Sequence, residues 1–253
     1  AGVHTMKGGI TFDRVNFTYA DTGIKALQDI SFTISPGEKV AIVGRTGSGK
    51  STLVQLLLRQ FDAQSGSICV DDISLLQIKL HSLRSQIGYV PQEVFLFSDT
   101  VRANIVFGSD DTDLDKIKEA ARLACIEEEI HQLSAGFDTM VGERGVMLSG
   151  GQKQRITLAR AILRNPAVLL LDDCLSAVDA RTERQITEGL RTYLQHKTAI
   201  IITHRIFSLL EFDKVLVLEE GRLVESGTPA DLLRAGGYYA DMYKRQQQEQ
   251  AMR

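Results

Sequence analysis

The stretch Gly44-Arg45-Thr46-Gly47-Ser48-Gly49-Lys50-Ser51 decides how this chain of 253 residues is read. It fits the pattern G-x-x-x-x-G-K-[ST] at every fixed position. The residues before it, Lys39-Val40-Ala41-Ile42-Val43, form the apolar run that a strand buried on both faces requires. After it, Leu53, Leu56 and Leu57 fall at helical spacing. Strand, glycine loop and helix in this order build a phosphate cradle. The glycines let backbone N–H groups turn inward around a β-phosphate, and the helix N-terminus adds a favourable dipole. In such a loop Lys50 reaches the β- and γ-phosphates and the Ser51 hydroxyl ligates Mg²⁺. Gly44, Thr46, Gly47, Ser48, Gly49 and Thr52 complete the expected nucleotide contact. The run Val168-Leu169-Leu170-Leu171-Asp172 supplies the second part, a buried strand ending in a carboxylate that holds Mg²⁺ through water.

Working outward, Ile10, Phe12, Val15, Phe17 and Tyr19 recur at nearly every second position, with one slip that reads as a bulge. Ile30 to Ile34 alternates in the same way, so an antiparallel lobe precedes the central strand. Short strands are expected at Ile68–Val70, Ile87–Val90, Val168–Leu171, Thr198–Thr203, Lys214–Leu218 and Arg222–Glu225, with a short helix after Thr203. Between Thr100 and Leu163 the pattern is helical, notably at Leu114–Ala124 and Gln152–Leu163. The fold class that follows is α/β, with a mainly parallel sheet flanked by helices, an N-terminal antiparallel β lobe and an inserted helical subdomain at about 93–164. Residues 1–9 read as a linker or an expression remnant, and the missing initiator Met agrees with a chain excised from something longer. Residues 10–253 read as one domain, and the Gln-rich tail Lys244–Gln250 as the end of a surface helix.

Composition excludes several classes. Hydrophobic residues make up 43% and charged residues 24%, with 4 prolines, which argues against a disordered chain. The net charge of -3 gives no broad electrostatic attraction for nucleic acid, and no nucleic-acid partner is expected. No apolar run approaches the roughly 18 residues of a membrane-spanning helix. Cys69, Cys125 and Cys174 are odd in number and isolated, which favours reduced, buried thiols over a disulfide frame.

Leu148-Ser149-Gly150-Gly151-Gln152 lies between the two phosphate-site elements, and with it the chain resembles the ATP-binding cassette family, whose signature this pentapeptide is. Physically, Ser149 caps a helix while Gly150 and Gly151 allow close backbone approach, making a second anion-binding helix terminus. The resemblance extends over nearly the whole chain. It implies that Tyr19 stacks on adenine, that Gln92 contacts Mg²⁺ and the attacking water, that Ser176-Ala177-Val178-Asp179 crosses between two cassettes, and that His204 contacts the γ-phosphate. It further implies head-to-tail pairing with a second cassette, identical or different. Each ATP then lies between one chain's phosphate loop and the other's Ser149, Gly150, Gly151 and Gln152.

Thr139-Met140-Val141-Gly142-Glu143-Arg144-Gly145 and the run Phe95 to Ile105 are similar to exporter cassettes. This implies an ATPase at the cytoplasmic face of the plasma membrane, coupled to a transmembrane domain, with ATP and Mg²⁺ bound. Where most active cassettes carry a catalytic Glu, this chain has Asp173. The carboxylate is drawn back by one methylene, and a displacement on the order of 1 Å can cost about a hundredfold in rate. A slow site of this kind, and the segment Gly236 to Gln247, resemble the multidrug-resistance-like subunit of a heterodimeric bacterial exporter. Two alternatives remain: a nucleotide-binding regulatory subunit with little hydrolysis of its own, and a non-transport ATPase of the same family. The coiled-coil heptads or tandem cassettes that would mark the last are not found in the sequence.

Overall fold

The computed structural model describes residues 5–142, 145–203 and 211–251. The chain runs β1 (Ile10–Thr18), β2 (Lys25–Ile34), β3 (Lys39–Gly44), α1 (Lys50–Leu57), β4 (Ser65–Val70), β5 (Ile73–Ser74), α2 (Leu80–Ser85) and β6 (Ile87–Val90). Next come α3 (Val101–Val106), α4 (Leu114–Leu123), α5 (Glu127–His131) and α6 (Gly150–Leu163). The last part is β7 (Val168–Asp172), α7 (Ala180–Tyr193), β8 (Thr198–Ile202), β9 (Lys214–Glu219), β10 (Arg222–Gly227), α8 (Pro229–Ala235) and α9 (Tyr238–Ala251).

Two sheets form. The first is antiparallel with order β2-β1-β4-β5, and the second has order β10-β9-β3-β8-β7-β6, parallel throughout except for β10. The α/β class, the antiparallel lobe and the helical insertion between β6 and β7 agree with the sequence reading. β3, β7 and β8 are apolar along almost their full length because helices or the other sheet cover both faces. One core fills the space between the two sheets around α1, with Ile30, Ile34, Leu56, Leu57 and Ile87 fully buried. A second joins the opposite face of the parallel sheet to α3–α7, and a smaller one seats α8 and α9 against β3 and β9.

The slip in β1 is a real irregularity: register shifts fall between Phe12 and Val15, and Arg14 takes φ 49. It keeps Phe12, Val15 and Phe17 all buried. Gly66 of β4 lies against this bulge, where a Cβ would stand 2.3 Å from the Arg14 carbonyl oxygen. β2 begins five residues before the expected Ile30, because Asp29 at φ 53 breaks the alternation that Ala26 and Leu27 start. The short helix expected after Thr203 lies outside the described residues.

The segment before β1 is fastened to the domain. Asp71 accepts the backbone N–H groups of Lys7 (2.6 Å), Gly8 (3.1 Å) and Gly9 (2.8 Å), and Gln86 accepts that of Met6 (2.6 Å). Met6 itself is buried.

Candidate nucleotide site

The ends of β3, β6, β7 and β8 converge at one edge of the parallel sheet, the crevice where open α/β sheets bind ligands. β3 ends at Gly44, whose φ is 150 and whose Cβ would meet the Leu218 carbonyl oxygen at 2.1 Å, so the chain must turn here on a glycine. Gly49, at φ 101, lies close to the Ala26 carbonyl oxygen (2.5 Å from an added Cβ). The loop between them is closed by Lys50, the first residue of α1. Its Nζ donates to the carbonyl oxygens of Gly44 (2.9 Å) and Arg45 (2.8 Å). Burial pushes the Lys50 pKa down, while the negative charges of Asp172 and Asp173 oppose that shift. Ser48 is buried under the loop, which leaves its backbone as its contribution.

A cleft of about 330 Å³ opens over this loop. Tyr19, Ile24 and Ala26 line one part, Thr46, Gly47, Gly49, Lys50, Ser51 and Thr52 the floor, and Gln92, Asp172, Asp173 and Ile202 the other part. Tyr19 is held by its hydroxyl, which bonds Thr52 Oγ1 at 3.0 Å and donates to Gln55 Oε1 at 2.8 Å. Its ring stands edge-on to Phe17 and Phe61. Asp172 is buried at the end of β7. Asp173 takes φ 43, a left-handed conformation that Asp tolerates better than most side chains. Its N–H donates to the Ile202 carbonyl at 2.9 Å, which pins the turn to β8. Ser51, Gln92, Asp172 and Asp173 offer hard oxygen donors, the set Mg²⁺ prefers. Among the described residues no three His, Cys, Asp or Glu side chains converge into a metal cage. Mg²⁺ needs none, since it takes most of its ligands from phosphates and water.

Ser149, Gly150, Gly151 and Gln152 do not line this cleft. They form the N-terminus of α6, where Ser149 Oγ accepts from Gln152 N (3.2 Å) and Gln152 Oε1 accepts from Ser149 N (2.9 Å), a closed capping box. Ser149 and Gly150 are exposed. Gly151 passes so close to the loop after β7 that a Cβ would stand 2.8 Å from the Ala177 carbonyl oxygen. Asp179 in that loop caps α7 by accepting from Arg181 N and Thr182 N.

Residues 27–176 match the family model described as ABC transporter. The chain belongs to the ABC transporter family. It is 48% identical over 241 residues to an uncharacterized ABC transporter ATP-binding protein, YfiB, of Bacillus subtilis (strain 168), covering 95% of this chain and 42% of that protein. It is 47% identical over 240 residues to YheI of the same organism, a probable multidrug resistance ABC transporter ATP-binding/permease protein, covering 95% and 41%. Among solved structures, a bacterial Atm1-family ABC exporter with ATP bound superposes with a TM-score of 0.91 at 44% identity, covering 94% of this chain and 42% of that one. The chain thus spans less than half the length of these relatives. It is an ABC transporter ATP-binding domain.

His204, Glu143 and Arg144 lie outside the described residues. No helix among the described residues is long and apolar enough to cross a membrane. Two site-forming residues escaped the sequence reading. Gln154 is buried and bonds the loop after β7; its place two residues beyond the pentapeptide was the available signal. Glu129 reaches Gln152 from α5, and inside the run Glu127-Glu128-Glu129 nothing distinguishes it from a solvated face.

Proposed function

We propose that this chain is the ATP-driven motor of an exporter, working as one of two cassettes that pair head to tail and drive an attached transmembrane domain from the cytoplasmic face of the membrane. The observation that carries this reading is the meeting of Lys50, Asp172 and Asp173 in one cleft above a phosphate-binding loop. ATP enters with its adenine toward Tyr19 and its phosphates over the N-terminus of α1. Backbone N–H groups of the loop and Lys50 bind the β- and γ-phosphates. Ser51 and Gln92, with Asp172 through water, would hold Mg²⁺, which neutralises charge on the phosphates when bound. Asp173 orients the attacking water, and His204 contacts the γ-phosphate. Ser149, Gly150, Gly151 and Gln152, which lie away from this cleft with Ser149 and Gly150 exposed, serve the nucleotide of the other cassette.

The transmembrane partner is supported by a second cavity, of about 350 Å³, lined by Val94, Phe95, Leu96, Ser98, Gly142, Met147, Leu148 and Lys153. Phe95 is 66% and Met147 77% exposed, an apolar surface that a water-facing domain seldom leaves uncovered. The permease and exporter relatives point the same way. The fit of oxygen donors to Mg²⁺ supports that cofactor.

Asp173 favours a second reading of the same site: ATP held and slowly hydrolysed here, with Ser149 lent to a faster site on a different chain. Asp173→Glu is expected to raise single-turnover hydrolysis by one order of magnitude or more, about the effect of restoring a positioned base. It should lower the melting temperature slightly, since a longer side chain suits φ 43 less well. Unchanged hydrolysis would mean that the site is already competent. Turnover measured alone and mixed with a Glu-bearing partner then separates the two readings, because activity only in the mixture marks a regulatory role.

A further inference from the structure

The first turn of α6 is braced from α5. Glu127 pairs with Arg122 (2.9 Å) and Glu128 is exposed, but Glu129 crosses to α6. Its Oε2 accepts from Gln152 Nε2 at 2.9 Å and its Oε1 from Arg155 Nη1. Arg155 is buried and also donates to the carbonyl oxygens of Cys125 (2.6 Å) and Gly151 (3.2 Å), so the carboxylate rests on a fixed cation.

An ionised carboxylate can only accept. The NH₂ end of the Gln152 amide must therefore face Glu129, and the amide oxygen must face the other way. There it accepts Ser149 N, which closes the capping box from that side. Ser149 Oγ in turn accepts Gln152 N, which leaves its hydroxyl proton as a donor on an exposed residue. Partial burial pushes the Glu129 pKa up, but the hydrogen bonds from Arg155 and Gln152 and the Arg155 charge outweigh this and hold it below the ordinary value. The group is thus ionised at neutral pH.

We propose that Glu129 is a positioning residue: through the Gln152 amide it fixes Ser149 so that the hydroxyl donates to the phosphates of the nucleotide held by the second cassette. This rests on the reading above that Ser149 serves that nucleotide. Glutamine at position 129 would present either end of its amide and no longer dictate which end of Gln152 faces Ser149.

The test compares Glu129→Gln, Glu129→Asp, Ser149→Ala and the double variant Ser149→Ala/Glu129→Gln in the assembled exporter. Turnover is measured against ATP concentration, and affinity for a fluorescent ATP analogue and melting temperature are measured on each variant chain alone. Glu129→Gln is expected to raise the half-saturating ATP concentration about tenfold, the effect of losing one charge-assisted hydrogen bond. Turnover at saturation and analogue affinity in the chain's own cleft should change by less than about twofold, within ordinary variation for distant sites. Glu129→Asp should recover part of the loss, and the double variant should be no worse than Ser149→Ala. If Ser149→Ala is impaired while Glu129→Gln matches wild type, or changes only the melting temperature, the proposal is overturned. Full additivity in the double variant overturns it as well. A Ser149→Ala variant indistinguishable from wild type removes the reading of Ser149 and the proposal with it.

Discussion

The side-chain oxygen of Gln154 accepts the backbone N–H of Ala177 at 3.2 Å, joining the helix that starts behind Ser149 to the loop that follows Asp173. Gln154 Nε2 also donates to Ser176 Oγ at 3.3 Å, and the side chain is buried. The first turns of α6 are thereby fixed to the loop behind the Asp173 turn. Gly151 adds to this joint, since it lies so near the same loop that a Cβ would stand 2.8 Å from the Ala177 carbonyl oxygen.

Gln154→Ala leaves the Ala177 N–H without its partner and opens a small void. A loss of about 1–3 kcal/mol in urea unfolding is expected, the usual cost of an unsatisfied buried donor. Gln154→Glu retains an acceptor for Ala177 and should lose less. Equal losses for both variants would mean that packing, rather than this hydrogen bond, holds the joint.

Lys50→Met keeps most of the buried volume of the side chain while removing its charge and both carbonyl contacts. ATP affinity is expected to fall by about a hundredfold, the scale of a lost hydrogen bond to a charged group. Equilibrium titration with a fluorescent ATP analogue reads this directly. Melting temperature should change little, since removing Lys50 also removes the cost of burying its charge.

Tyr89, on β6 beside β7, gives a pH-dependent signature of the buried Asp172. Burial and, secondarily, the Asp172 charge push its phenol from 10.0 up to about 12. The folded state therefore holds the phenol proton more tightly than the unfolded state. Its contribution to stability is fully present below pH 10 and is lost as pH rises through about 12. Tyr89→Phe should accordingly lose less stability than wild type over that window in thermal melts. Parallel melting curves across it would contradict the assignment.

Much of this was legible because the local signals were dense. The loop from Gly44 to Ser51 carries its own glycines, lysine and flanking periods, and the apolar runs of β3, β7 and β8 announce a sheet covered on both faces. What stayed hidden lacked a local period. β2 was shortened by the irregularity at Asp29, and α2, six residues without a side-chain cap, is too brief to show one. α8 could have been found from Thr228 as cap, Pro229 in its first turn and Gly236 behind it. In the site, Lys50, Gln92, Asp172 and Asp173 were each marked by a motif and Tyr19 by the family resemblance alone, and the cleft brings them together. Glu129 and Gln154 act through contacts 22 to 26 residues away in sequence, which no pattern along the chain records.

The most direct measurement is phosphate release from ATP in a single turnover by the wild type and by Asp173→Asn, in the chain paired with the second cassette that the proposed function requires, with nucleotide binding followed in the same samples. Asparagine keeps the size of Asp173 and suits its left-handed backbone, but cannot orient water as a base. Binding should stay within about twofold while release slows by about a hundredfold or more, the range for losing a general base. Undiminished release by Asp173→Asn would contradict the placement of ATP hydrolysis at this carboxylate.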